Sequence, residues 1–287
     1  MLFRSYKLKA EFDTQRKVVD YFATLEKSEK NQRICDGLLG LIDEVLFVED
    51  PIEKGKYHPR ISAQFTYIYR SLNEYERWCY DRLYNDFFYH RHNGFWYGKA
   101  MWKLPPLIEA TDMLVCAEDL GMIPDCVPAV MSALQISSLE IQRMPKDPKA
   151  EFGNTYTYPY LSVCTTSTHD MGGIRQWWEE DREKTQHFFN NMLHEGGEAP
   201  YFAEPWVCDK IITLHLNSPA MLAIIPLQDL LSIDGKIRRE NPLEEQINVP
   251  ANPRHYWRYR MHLTMDQLIA SDEYNSLLRE KIANSGR

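Results

Sequence analysis

The chain contains 287 residues, of which 44% are hydrophobic and 13% are aromatic, a composition that excludes an intrinsically disordered protein. Its 41 acidic and 33 basic residues give a net charge of -8, which argues against a nucleic-acid backbone as the main partner. The mean hydropathy of -0.48, without a long apolar run, excludes a membrane span, and the first six residues lack the apolar core of a signal peptide. We therefore expect an acidic, cytoplasmic, globular protein whose oligomeric state the composition leaves open.

Patterns that bind metals, nucleotides or phosphates do not occur in the sequence. There is no H-E-x-x-H or C-x-x-C pair, no G-x-G-x-x-G turn and no phosphate loop of the G-x-x-x-x-G-K-[ST] type. The six cysteines are thinly spread and are expected to be free thiols: Cys35, Cys79, Cys116, Cys126, Cys164 and Cys208. The sequence therefore predicts a function without a metal ion or cofactor.

The first third of the chain is predicted to be mainly helical. Apolar residues recur at helical spacing over residues 17–25 and 34–42, and a long amphipathic helix is predicted from Ser71 to Tyr89. Residues 45–48 are typical of a short strand, and residues 52–60 are predicted to form a loop punctuated by glycine and proline.

In the second half of the chain, short apolar runs alternate with helical stretches. The runs are residues 113–117, 139–141, 161–165 and 221–226, and a helix is predicted from Pro124 to Leu134. Short apolar strands that alternate with helices are typical of βα units on a parallel sheet that is buried on both faces. We therefore predict an α/β fold.

Polar residues follow each of the four apolar runs at its carboxyl end. They are Glu118 with Asp119, Arg143, His169 with Asp170, and Gln228 with Asp229. In a (β/α)8 barrel this edge of the sheet carries the catalytic groups. The alternative interpretation is that the acidic residues cap the helices that follow the strands.

Two of these carboxylates are candidates for the cleavage of a glycosidic bond. That reaction requires one carboxyl group that donates a proton and a second that attacks or stabilises the anomeric carbon. An apolar wall or a neighbouring carboxylate keeps such an acid protonated near neutral pH, and Glu118 follows an apolar run and adjoins Asp119. Asp170, preceded by His169, is the candidate for the ionised partner. Tryptophan and tyrosine faces can stack on sugar rings, although most such residues pack in the core.

Five segments of the sequence carry a family resemblance. They are C-A-E-D-L-G-M-I-P at 116–124, T-S-T-H-D at 166–170, I-P-L-Q-D at 225–229, Q-I-N-V-P at 246–250 and Y-W-R-Y-R at 256–260. In this order they resemble the E-D-L-G, S/T-x-H-D, P-x-Q-D, R-x-N-x-P and W-x-W/Y-R segments of glycoside hydrolase family 77, the 4-alpha-glucanotransferases. The resemblance runs from about Tyr57 to the end of the chain and is strongest to the longer disproportionating enzymes, which carry a helical insertion before the E-D-L-G strand.

The resemblance implies a role for each matching residue. Glu118 corresponds to the general acid/base, Asp170 to the carboxylate that stabilises the transition state, and His169 to the histidine that binds the sugar beside it. The remaining matches line or brace the sugar pocket, and they are Asp119, Gln228, Asp229 and Asn248. The implied substrates are alpha-1,4-glucans and malto-oligosaccharides, and the implied reaction is glucosyl transfer with retention.

The sequence departs from the family pattern at the nucleophile. Family members carry this aspartate in an R-I-D-H segment on the fourth strand, and the sequence contains no such segment. Glu49 and Asp50 end the strand-like run that precedes Glu118, but Pro51 is typical of a strand-to-loop turn. A second departure is Gln246, which stands where arginine is more usual.

These departures are explained if the chain is the carboxyl-terminal portion of a larger enzyme. Residues 96–287 then provide strands five to eight of a (β/α)8 TIM barrel, residues 1–95 form the helical insertion, and the nucleophile lies upstream. Two other hypotheses stay open, a non-catalytic glucan-binding module and a hydrolase of the alpha-amylase clan.

Overall fold

The structure, a computed structural model, describes residues 8–121 and 123–287. The chain divides into two units, residues 1–96 and 97–287. Within the described residues, none of the helices combines the length and apolar composition needed to cross a bilayer.

The first unit begins with helices α1 (Gln15–Ala23) and α2 (Glu29–Asp43), followed by α3 (Tyr67–Ser71) and α4 (Glu74–Asn85). Each helix starts where a polar side chain accepts a backbone N–H, and these capping residues are Thr14, Ser28, Thr66 and Asn73. The two predicted helices near residues 17–25 and 34–42 are therefore confirmed.

The predicted helix from Ser71 to Tyr89 is wrong in its bounds. A capping box between Asn73 and Glu76 starts α4 later, because their side chains and backbone N–H groups bond each other. At its other end, α4 passes into a π-helical turn (Asp86–Arg91), and helix α5 (His92–Glu109) follows.

The predicted strand near residues 45–48 forms one arm of a hairpin, in which β1 (Phe47–Glu49) pairs antiparallel with β2 (Tyr57–Pro59). Asp50 accepts the backbone N–H groups of Ile52 and Glu53, each at 2.8 Å, and the Nε2 of His58 lies 2.6 Å from its other oxygen. These contacts, the backbone hydrogen bond from Glu53 first, lower the pKa of Asp50 to about 2. Asp50 thus stabilises a strand-to-loop turn, which is the role that the neighbouring Pro51 predicts.

The second unit contains a parallel sheet of the order β3 (Ser138–Ile141), β4 (Ser162–Thr165) and β5 (Leu222–Ala223). A parallel bridge between Cys116 and Ser137 extends it on the β3 side. Three predicted strands are confirmed, and all four residues of β4 are buried as expected. The predicted strand at 113–117 shrinks to that one bridge, at which the N–H of Ala117 donates to the carbonyl of Ser137 and the N–H of Ser137 donates to the carbonyl of Val115.

Helices precede β3 and separate β4 from β5, as the βα pattern predicts, whereas β3 and β4 are joined by a loop with one 3-10 turn (Thr155–Thr157). α6 (Val127–Leu134) lies between the Cys116 bridge and β3, and α7 (Ile174–Glu180), α8 (Arg182–Asn191) and α9 (Pro205–Leu216) lie between β4 and β5. Three helices follow β5, and they are α10 (Leu227–Leu231), α11 (Met265–Ile269) and α12 (Asp272–Asn284). The core is formed by fully buried side chains of α7 to α10, including Trp178, Phe188, Val207, Ile212 and Leu231.

Helix α9 contacts the sheet through a buried histidine at its end. His215 is 1% exposed, its Nδ1 lies 2.8 Å from the carbonyl oxygen of Ile211, and its own carbonyl accepts the thiol of Cys164 in β4. Burial lowers the pKa of His215 from 6.5 to about 4, because the imidazolium would lose its hydration. His215 is therefore neutral in the folded protein at neutral pH.

This neutral histidine makes the stability of the second unit depend on pH. Between pH 6.5 and about 4 the unfolded chain binds a proton that the folded chain does not, so the free energy of unfolding falls as the pH falls. The loss attributable to His215 is about 3 kcal/mol. We expect urea titrations to show that the difference in stability between wild type and His215→Asn shrinks by this amount across the interval. Parallel pH profiles of the two proteins would contradict the prediction.

Candidate active site

The polar residues predicted from the strand ends lie along one edge of the parallel sheet. Glu118 and Asp119 follow the Cys116 bridge, whereas His169 and Asp170 follow β4, and β3 runs between these two segments. Parallel strands place their carboxyl ends at the same edge, and this is the edge at which α/β enzymes carry their active sites.

Asp119 is a buried anchor at this edge. It is 5% exposed, and its carboxylate accepts the N–H of Leu139 at 2.9 Å and the Nζ of Lys146 at 2.6 Å. The same Nζ lies 2.7 Å from Glu140, so one ammonium group is shared by two poorly exposed carboxylates. The Asp119 carboxylate, predicted to line or brace the sugar pocket, thus contacts protein groups, and its bond to Leu139 ties the residues after the Cys116 bridge to β3.

Glu118, one residue earlier, has the opposite environment. Its side chain is exposed, and its carboxylate accepts the N–H of Leu120 at 3.2 Å. In the apolar run before Glu118, Leu114 and Cys116 are exposed, whereas Val115 and Ala117 are half-buried. Glu118 is therefore free to contact a ligand at the sheet edge.

Asp170 lies in the loop that follows β4. It contacts two other residues that the sequence analysis selected: His169 of the same loop and Asn248 of a distant segment. The amide Nδ2 of Asn248 donates to Asp170 at 2.6 Å, and the Nε2 of His169 lies 3.4 Å from its other oxygen. The backbone N–H of Asn248 also donates to the His169 carbonyl at 3.1 Å. Three predicted site residues are thereby brought into one cluster, although Asn248 is 78 residues away from Asp170 in sequence.

The buried carboxylate of Asp229 anchors the loop that carries His169 and Asp170. Asp229 is 2% exposed, and its carboxylate accepts the hydroxyls of Thr166 and Ser167 at 2.6 and 2.7 Å and the N–H of Ile174 at 2.8 Å. The loop between Ser167 and Ile174 is thus tied at both ends to one buried carboxylate. Such charge-assisted hydrogen bonds are the stronger class of hydrogen bond in proteins.

The alternative interpretation, in which these acids lie at the starts of the helices that follow their own strands, holds for Asp229, which lies in the first turn of α10 after β5. The residue before α6, Cys126, makes no capping bond with its side chain, and the residue before α7 is Gly173, which has no side chain. The N–H of Ile174 is instead satisfied by Asp229, which comes from the end of the following strand. A Cβ at position 173 would lie 2.7 Å from an oxygen of the Asp229 carboxylate, so any larger residue there would displace this carboxylate.

A buried ion pair anchors the segment that carries Asn248. Arg175 of α7 donates to the Glu245 carboxylate at 3.2 Å, and Gln228 donates to the Glu245 carbonyl at 3.2 Å. Burial raises the pKa of Glu245 to about 7, although the Arg175 guanidinium opposes this shift. Gln246, which replaces the arginine usual in the family, accepts a hydrogen bond from Gln176 at 3.2 Å.

Trp257 is a member of the site that strand-end reasoning missed. Its ring centroid lies 5.0 Å from that of His169, and the side chain is 55% exposed. The signal in the sequence was the Y-W-R-Y-R segment, which indicated the family but no role for the tryptophan. An exposed indole beside a carboxylate and a histidine is suited to stack on a sugar ring.

The site is built from oxygen and nitrogen groups that suit sugar hydroxyls. Within residues 8–121 and 123–287, no group of three or more histidine, cysteine, aspartate or glutamate side chains is arranged to hold a metal ion. The arrangement places two exposed carboxylates, an imidazole, an amide and an indole at one sheet edge. Groups of this kind can support acid/base chemistry on a carbohydrate.

Comparisons with known proteins point in the same direction. A family model described as 4-alpha-glucanotransferase, that of glycoside hydrolase family 77, matches residues 55–265. The chain is 37% identical to 4-alpha-glucanotransferase DPE2 of Oryza sativa subsp. japonica over 286 residues, which are 98% of the chain and 30% of that relative. It is 29% identical to the 4-alpha-glucanotransferase of Chlamydia muridarum over 61% of the chain and 33% of the relative.

Among solved structures, the amylomaltase from Streptococcus agalactiae in complex with acarbose is similar to the chain with a TM-score of 0.48 and 17% sequence identity. This similarity covers 61% of the chain and 32% of the amylomaltase. The chain spans about a third of the length of the relatives that it matches.

The contact between Gly173 and Asp229 can be tested by adding one methyl group. Gly173→Ala is expected to lower the free energy of unfolding by about 1–3 kcal/mol, because the buried carboxylate must move away from its three donors. The control is Gly196→Ala, where a Cβ meets nothing within 4 Å and stability should stay within about 0.5 kcal/mol of wild type. Equal stabilities of the two variants in urea titrations would show that the carboxylate is not held as described.

Proposed function

Because the chain belongs to glycoside hydrolase family 77, we propose that it is the carboxyl-terminal part of a 4-alpha-glucanotransferase. The enzyme moves glucosyl or alpha-1,4-glucan units from malto-oligosaccharides to malto-oligosaccharide, glycogen or starch-type acceptors, with retention at the anomeric carbon. The observation that carries the proposal is the cluster of Asp170, His169 and Asn248 at the sheet edge that also carries Glu118. All four residues lie within the part of the chain that the family model matches.

Glu118 is proposed as the general acid/base. Its exposed carboxyl can reach a glycosidic oxygen, while the neighbouring Asp119 keeps the backbone of this segment tied to β3. Glu118 first protonates the leaving sugar and then removes a proton from the acceptor hydroxyl, so that a sugar rather than water accepts the glucan.

Asp170 is proposed as the carboxylate that stabilises the transition state. Positive charge develops at the anomeric carbon, and a fixed carboxylate beside it lowers the barrier because little reorganisation is needed. The Asn248 amide orients the Asp170 carboxylate, and the backbone bond between Asn248 and His169 holds the imidazole beside it. Trp257 supplies an apolar face for the sugar ring.

The remaining machinery is proposed to lie outside this chain. The four parallel segments at Cys116, β3, β4 and β5 are interpreted as strands five to eight of a (β/α)8 barrel, and residues 1–95 as an insertion before them. This interpretation is supported by the strand order and by the third of each relative that the chain matches. The nucleophilic aspartate then belongs to the other half of the barrel, because the Asp50 carboxylate is engaged by two backbone N–H groups of its own turn.

The roles of the two carboxylates are tested by amide substitutions in the whole protein. We expect Glu118→Gln to reduce transfer from maltose to glycogen by roughly 10²–10⁴-fold, and Asp170→Asn by roughly 10²–10³-fold. Glu198→Gln, an exposed carboxylate outside the site, serves as the matched control and should keep full activity. Near wild-type transfer by Glu118→Gln would refute the assignment of the acid/base.

The absence of the nucleophile is tested with residues 1–287 alone. Members of a catalytic set act as a unit, so this chain should show no measurable transfer even with Glu118 and Asp170 present. Weak binding of malto-oligosaccharides through Trp257 is expected to survive, and isothermal titration measures it. Robust turnover by residues 1–287 would show that the nucleophile lies within them, and loss of that turnover in Asp50→Asn would identify it.

A further inference from the structure

Arg143 lies two residues beyond β3 and takes no part in the chemistry described above. Its Nε and Nη2 donate to the carbonyl oxygen of Thr166 at 3.2 and 2.9 Å, and Nη2 also donates to the carbonyl oxygen of Gly172 at 2.8 Å. Thr166 and Gly172 lie on either side of His169 and Asp170 in sequence. One guanidinium group therefore closes the loop that carries both candidate site residues.

The guanidinium is held in place from its other side. It lies over the ring of Trp177, 5.1 Å from the centroid, and Trp177 packs edge-on against Phe188 in the core. Within residues 8–121 and 123–287, no carboxylate oxygen lies within 4.0 Å of a guanidinium nitrogen of Arg143. The hydrogen bonds of the guanidinium thus go to carbonyl oxygens of the loop, so the geometry of these bonds depends on where those two carbonyls lie.

Only arginine has the shape for this arrangement. A planar fork reaches two carbonyl oxygens at once while its face rests on an aromatic ring, whereas a lysine ammonium acts as a compact point charge. With Asp229 binding the hydroxyls at 166 and 167 and the N–H at 174, the loop is held by a cation and an anion together. The loop between them has little freedom to change its path.

We propose that Arg143 is a positioning residue that fixes the location of the Asp170 carboxylate for glucan transfer by closing the loop from Thr166 to Gly172. This proposal rests on the proposed function. Arg143 itself does not contact the sugar. It acts because the rate depends on where the carboxylate stands relative to the anomeric carbon, and a displacement of about 1 Å at such a group costs up to about a hundredfold.

The chain contains a matched control for this arginine. Arg182 also donates to two backbone carbonyls, those of Pro200 and Ala199, each at 2.8 Å, and it also lies over an aromatic ring, that of Tyr201 at 5.5 Å. The loop that Arg182 closes carries none of the site residues. Arg143→Lys and Arg182→Lys thus remove the same kind of contact from two different loops.

The experiment compares the two variants in the whole protein. Thermal unfolding should show similar, modest losses of stability for both. We expect Arg143→Lys to lower kcat for transfer from maltose to glycogen by roughly ten- to a hundredfold, with the KM for maltose changed by less than about threefold. Arg182→Lys should leave kcat within about twofold of wild type. Amide hydrogen exchange should accelerate over residues 167–174 in the first variant and over residues 199–203 in the second.

Each result decides the proposal. Equal kcat losses in both variants, or an unchanged kcat in Arg143→Lys, would overturn it, as would unchanged exchange over residues 167–174. If wild type itself shows no transfer, the proposed function fails. The positioning claim fails with it, and the exchange data alone then decide whether Arg143 closes the loop.

Discussion

The loop at residues 166–174 is held at both ends by charges of opposite sign, the buried Asp229 and the half-buried Arg143, and the candidate site depends on this constraint. Asp229 binds the loop through hydroxyl and N–H donors, and Arg143 binds it through carbonyl acceptors. The Asp229 carboxylate accepts from donors of the loop itself, and the Arg143 guanidinium donates to two of the loop's carbonyls. Removing the loop from its place would leave the buried Asp229 carboxylate without these donors, which is far more costly than losing ordinary surface contacts. The exposed Asp170 is thereby carried on a rigid support.

The same principle governs the other carboxylate of the site. Glu118 faces solvent, while Asp119 is buried and shares the ammonium group of Lys146 with Glu140. Glu118 and Asp119 thus have opposite environments, because successive side chains of an extended segment point to opposite faces. One acid anchors the backbone and the other faces solvent.

Local patterns predicted the elements well where the controlling interactions are themselves local. Helical periodicity indicated α1 and α2, and apolar runs indicated β3, β4 and β5. The predicted helix from Ser71 was wrong at its start, because the Asn73–Glu76 capping box outweighs the periodicity. The predicted strand at 113–117 formed one bridge only, because a run of apolar residues becomes a strand only where a neighbour pairs with it.

The sequence by itself determined the positions of the parallel strands, the family and the list of candidate residues, because each is encoded in residue types at short spacing. It could not determine which acids face solvent and which are buried. That distinction depends on partners far away in the chain: Lys146 is 27 residues from Asp119, and Asp229 is 63 residues from Thr166. Only the parallel order of the strands brings these groups into contact, and the free energy of a buried charge is set by the contacts that surround it rather than by its neighbours in sequence.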